Sequence, residues 1–104
     1  MFLRLFLDVE PLYKNKNRVT PAGLPDYDWL SYSRLSYDDL RYMSGSDLRI
    51  MKNYIFARHG YKFKSRDLQK FFNQYPWYEA CYSDVTSKLN SIEKENIQII
   101  RLLE

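Results

Sequence analysis

The sequence holds a single cysteine, Cys81, among 104 residues, so no intramolecular disulfide can staple the chain. It also holds a single histidine, His59. One thiol and one imidazole would leave a zinc site dependent on carboxylates, and no metal site is expected. The two could pair as nucleophile and base, but nothing around Cys81 resembles the helix start that activates a thiolate. The three glycines, Gly23, Gly45 and Gly60, stand isolated. That excludes a glycine-rich phosphate loop, and no cofactor is expected. Long hydrophobic runs are missing too. The apolar stretch Met1–Leu7 is broken by Arg4 and is too short to span a membrane. It lacks the charged start, unbroken core and small-residue cleavage site of a signal peptide. An exported protein would carry its signal or anchor outside this sequence. No tandem repeat or low-complexity segment is visible.

What is present suits one small core. Hydrophobic residues make up 45% and aromatics 17%, with ten tyrosines and two tryptophans. A chain of this length builds a single domain. Net charge is +3, unevenly spread. Residues 41–78 carry eight cations against Asp47 and Asp67, leaving the remainder at −3. Acidic flanks that pack against a basic middle explain this asymmetry, as would an anionic partner.

The chain is organised around Ser44–Phe63. Ser44 and Asp47 form a capping-box pattern, and Gly60 offers the left-handed residue that closes a helix. A helix is therefore expected over about Gly45–His59. At ~100° per residue, Leu48, Ile50, Met51, Tyr54 and Ile55 form one apolar arc, with Arg58 inside it and His59 at its edge. Arginine cannot shed its proton, so a buried Arg58 needs a carboxylate or several carbonyls.

Ser36 with Asp39, and Asn90 with Glu93, repeat the capping box. They predict a short helix after Ser36 and a C-terminal helix over Ser91–Leu103. Ser65 is expected to cap a helix over about Arg66–Asn73, stopped before Pro76. The C-terminal helix reads as apolar through Ile92, Ile99, Ile100 and Leu103, with Asn96 on that face and Glu93 at its rim. Two amphipathic helices with polar intruders should face each other. Arg58 is expected to pair with Glu93 or Asn96, and Arg58→Leu to cost about 3 kcal/mol or more. Residues 1–30 read as an extended arm or linker, with a possible edge strand in Met1–Glu10 and proline-bearing loop in Leu12–Tyr27. Residues 31–104 read as the domain, mainly α, with three to four helices.

Lys52-Asn53-Tyr54-Ile55-Phe56-Ala57-Arg58-His59-Gly60-Tyr61-Lys62-Phe63 resembles the signature of the YARHG family, named for its Tyr-Ala-Arg-His-Gly run. The resemblance continues through Leu68, Phe72, Trp77-Tyr78, Leu89, Glu93 and Asn96, covering roughly Leu35–Glu104. Phe56 replaces the family's usual tyrosine and Lys52 its usual arginine, so no chemistry through that hydroxyl is open here. The resemblance implies a bacterial, extracellular setting and brings no reaction with it.

Two functional classes follow. The first is a non-catalytic binding module of a secreted or cell-surface protein. It would offer Arg58, His59, Tyr61, Trp77 and Tyr78 to a peptide, a glycan or another anionic envelope component, or to a fused or partner domain. Tyr75-Pro76-Trp77-Tyr78 is a proline-stiffened turn able to present its rings. The second is a small hydrolase, with His59 and a carboxylate as acid and base and Asn53 or Arg58 stabilising charge. Basic and aromatic residues alternate at Tyr61-Lys62-Phe63-Lys64 as in single-strand binders, but the low net charge argues against nucleic acid.

Overall fold

The computed structural model describes residues 18–104. The edge strand read at residues 1–10 lies outside them. Four α-helices follow in order: α1 (Tyr37–Leu40), α2 (Gly45–Arg58), α3 (Arg66–Phe72) and α4 (Ser91–Leu103). Two 3-10 turns, Asp28–Ser31 and Thr86–Lys88, join them. Among the described residues the only β pairings are isolated bridges, Val19 with Pro25 and Tyr61 with Tyr82. The fold is mainly α, and no described helix is long and apolar enough to cross a membrane.

All three capping boxes form. Ser36 and Asp39, Ser44 and Asp47, and Asn90 and Glu93 exchange side-chain and backbone hydrogen bonds at the starts of α1, α2 and α4. Ser65 departs from the expectation: its side chain makes no cap. The hydroxyl instead donates to the Asp67 carboxylate and accepts from Arg49.

α2 is buried on two sides, which is why a single stripe describes it poorly. Leu48, Met51 and Ile55 join Trp29, Leu30, Leu35, Leu40, Ile97 and Ile100 in one core. Tyr54 and Ala57 join Phe63, Leu68, Phe72 and Tyr75 in the other. Asp28–Ser31, read from the sequence as part of an extended arm, places Trp29 and Leu30 in the first core. α4 runs antiparallel to α2. Glu93, near its start, meets His59 at the end of α2, and Glu104 meets Lys52 at 2.6 Å. Its buried positions are Glu93, Asn96, Ile97 and Ile100, whereas Leu103 is exposed. The apolar face is thus rotated toward Ile97 from the one expected.

The end of α2 is a Schellman motif. Tyr61 N–H donates to the Phe56 carbonyl at 3.1 Å, and Gly60 N–H to the Ala57 carbonyl at 2.9 Å. The Phe56 and Tyr61 rings, 6.1 Å apart, supply the accompanying apolar contact. Gly60 has φ 84°, and an added Cβ would stand 3.2 Å from the Glu79 carbonyl oxygen. Its own carbonyl accepts from the Cys81 and Tyr82 amides at 2.8 and 2.9 Å. Gly60→Ala should therefore cost about 1–2 kcal/mol from the left-handed backbone alone, read as a lowered denaturation midpoint.

Candidate functional site

Arg58 does not meet Glu93 or Asn96, contrary to expectation. Its Nε and Nη2 donate to the two Asp28 carboxylate oxygens, both at 2.8 Å. Tyr54 donates its hydroxyl to the same carboxylate at 2.9 Å, and the Trp77 ring lies 4.1 Å from the guanidinium carbon. The reason is placement. The turn at Asp28–Ser31 sets its first residue beside the last turn of α2, whereas Glu93 is already taken. The Arg58 hydrogen bond, helped by Tyr54, holds the Asp28 carboxyl below the usual carboxylate range despite partial burial. Burial, then the bond to Asp28, pushes the Tyr54 hydroxyl far above the usual tyrosine range, so it remains a donor.

The Arg58 and Asp28 side chains are 36% and 41% exposed, so water screens the pair. Arg58→Leu strands a carboxylate that reaches solvent, so its cost should fall well short of the roughly 3 kcal/mol expected for a buried pair. The lowered Asp28 value fixes the sign with pH. Its stabilisation is complete above the unfolded value near ~4 and fades as pH falls toward the lower folded value. Asp28→Asn should lower stability by about 1 kcal/mol at pH 7. The gap from wild type should close on acidification, as followed by urea melts across pH.

Glu93 is 2% exposed and serves the neighbouring His59. His59 Nε2 lies 3.0 Å from both carboxylate oxygens. Both are acceptors when the carboxyl is ionised, so that ring nitrogen carries the hydrogen. Ser31 Oγ donates to Oε2 at 2.7 Å, and the Asn90 amide to Oε1 at 2.8 Å. A buried carboxylate thus gathers donors from α2, from the Asp28–Ser31 turn and from its own helix start. Serine, glutamate and histidine are together, but not as a relay: the hydroxyl faces the carboxylate, not the imidazole. Asn96 is fully buried. Its Oδ1 accepts from Leu35 N–H at 2.8 Å, and its Nδ2 donates to the Leu30 and Ser33 carbonyls at 2.8 and 3.0 Å.

The remaining nominated residues separate. Trp77 is half-buried between Arg58, Tyr54 and Tyr75, and Tyr78 donates its hydroxyl to the Tyr61 carbonyl at 2.6 Å. Asn53 and Tyr61 instead line a groove of about 340 Å³ with Lys52, Phe56, Thr86 and Arg101. Ser83, Asp84 and Val85 complete its wall. Asn53 Nδ2 is tied to the Arg49 carbonyl at 2.8 Å, which orients its Oδ1. The Thr86 amide donates to Asp84 at 2.9 Å and helps hold that carboxyl below its usual range. Lys52 is committed to Glu104, while Arg101 has no ion-pair partner among the described residues. Arg101 and residues 83–86 carry no sequence signal that places them here, because neither lies near Asn53 along the chain. A larger groove, of about 590 Å³, between residues 18–27, α1 and Met51 contains none of the nominated residues. Among the described residues no three His, Cys, Asp or Glu side chains converge to hold a metal ion.

The family model described as the YARHG domain matches residues 25–104. No curated protein and no solved structure matches the chain.

Proposed function

This chain belongs to the YARHG domain family, and on that premise we propose that it is a non-catalytic binding module of a bacterial secreted or cell-surface protein. The signature residues act as framework: Arg58 braces the Asp28–Ser31 turn and His59 braces α4. The ligand enters the groove beside them. The observation that carries this reading is Arg101, a guanidinium with no ion-pair partner among the described residues, lining a groove that also holds the rings of Phe56 and Tyr61 and the Asn53 amide. Rings beside a fixed amide and such a guanidinium suit a peptide or glycan fragment bearing a carboxylate.

The hydrolase reading draws on the contact between His59 and Glu93. It finds little support, since Asn53 lines the groove and His59 does not. Arg58 is spent on Asp28.

The test is titration with peptide and glycan fragments of cell wall, followed by calorimetry. Arg101→Ala should weaken binding at least about tenfold, the worth of one charge-assisted hydrogen bond. Asn53→Ala should weaken it less, and His59→Gln little. Equal binding by wild type and Arg101→Ala, or by neither, would remove this reading.

A further inference from the structure

The connection from α2 to α3 carries a second feature, independent of the groove. Along Tyr61–Lys64, a half-buried ring and a buried one alternate with exposed lysines. Tyr61 and Phe63 meet edge to face at 5.0 Å and Phe63 is buried, whereas Lys62 and Lys64 are exposed. With Phe63 buried between them, the two exposed lysines share the outward side of the connection, at roughly the 7 Å that two residues of chain span. α3 follows at once. It buries Leu68 and Phe72 and leaves Arg66 and Lys70 exposed, one turn apart at roughly 6 Å.

These four cations have no ion-pair partner among the described residues. Six other described cations, Arg18, Arg34, Arg41, Arg49, Lys52 and Arg58, each hold a carboxylate, whereas Lys88, Lys94 and Arg101 hold none and lie apart along the chain. The one acid within the strip, Asp67, is taken by Arg49. The result is an uncompensated strip of two pairs, Lys62 with Lys64 and Arg66 with Lys70, with about 6–7 Å between the members of each pair.

We propose that this strip docks a linear, phosphate-bearing polymer whose charges recur at a similar interval. Lysine and arginine both hold phosphate well. A membrane surface fits less well, because Phe63, Leu68 and Phe72 face the core and leave no side chain of the strip to insert into lipid. Base stacking fits less well too: Phe63 is buried, and the half-buried Tyr61 ring packs against Phe56 and Phe63 at the groove.

The probe is long-chain polyphosphate, titrated at several salt concentrations. With four contacts and the coefficient for single strands, log K should fall against log salt with a slope of about −3, so a fourfold rise in salt weakens binding about 50-fold. The double variants Lys62→Gln with Lys64→Gln, and Arg66→Gln with Lys70→Gln, should each halve the slope. The quadruple variant should abolish binding without moving the melting temperature, since all four side chains are exposed. Arg101→Ala should bind polyphosphate as wild type does, which separates this surface from the groove. Wild-type slopes in the doubles, or no binding by wild type, would overturn the proposal. So would binding to anionic lipid vesicles without binding to polyphosphate, or tighter binding of single-stranded DNA than of polyphosphate at equal salt.

Discussion

Asn96→Leu should destabilise the protein by about 3–5 kcal/mol, although the helical pattern suggests that leucine would complete an apolar face. The side chain is fully buried and makes three hydrogen bonds to the backbone of residues 30–35. Leucine has similar volume but leaves the Leu35 amide and the Leu30 and Ser33 carbonyls without their partner. Each such group costs about 1–3 kcal/mol when left unpaired. Asn96→Asp should fare no better. It keeps the acceptor for Leu35 but turns an oxygen toward two carbonyl oxygens. Thermal unfolding checks both. A fall of at least ~12 °C is expected for a domain of this size, and a variant at or above the wild-type midpoint would show that Asn96 does not hold the 30–35 segment.

Glu93→Leu should cost about 3 kcal/mol or more, near the lower end for removing one partner of a buried pair. The carboxylate receives His59, Ser31 and the Asn90 amide. Removing it strands donors from three segments and deletes half of the α4 capping box. His59 is a quarter exposed and can turn toward water, which keeps the loss from the top of the range. Glu93→Gln preserves shape and one acceptor, so it should lose less. Chemical denaturation of both variants decides it, and a Glu93→Leu midpoint unchanged within error would rule out the network as a stabilising element.

Both residues show how far the sequence could be read. Capping boxes are local, spanning four residues, and all three are legible from Ser36, Ser44 and Asn90 and their acidic partners. The helix-closing Gly60 was legible for the same reason. The partner of Arg58 was not. Asp28 lies thirty positions away beside Pro25, in a stretch whose prolines read as linker. Composition held a trace of it, since acidic flanks against a basic middle suggested mutual packing. Asp28, Glu93 and Glu104 from the flanks do meet Arg58, His59 and Lys52 from the middle. Charge totals cannot say which acid meets which cation. Glu93 meets His59 rather than Arg58 because Asp28 already occupies the guanidinium, while His59 Nε2 lies 3.0 Å from both Glu93 oxygens. The groove was half visible: Asn53 and Tyr61 were nominated, but Arg101 and residues 83–86 reach it only through the docking of α4 and an irregular loop.

A pair of double-mutant cycles tests most directly whether the end of α2 seats α4 through its imidazole. Glu93→Leu is combined with His59→Phe in one cycle and with Arg58→Leu in the other, each read by denaturant unfolding. Coupling of at least ~1 kcal/mol is predicted between Glu93 and His59, with losses from Glu93 and Arg58 adding to within ~0.5 kcal/mol. Additive losses in the histidine cycle, or strong coupling in the arginine cycle, would contradict the account.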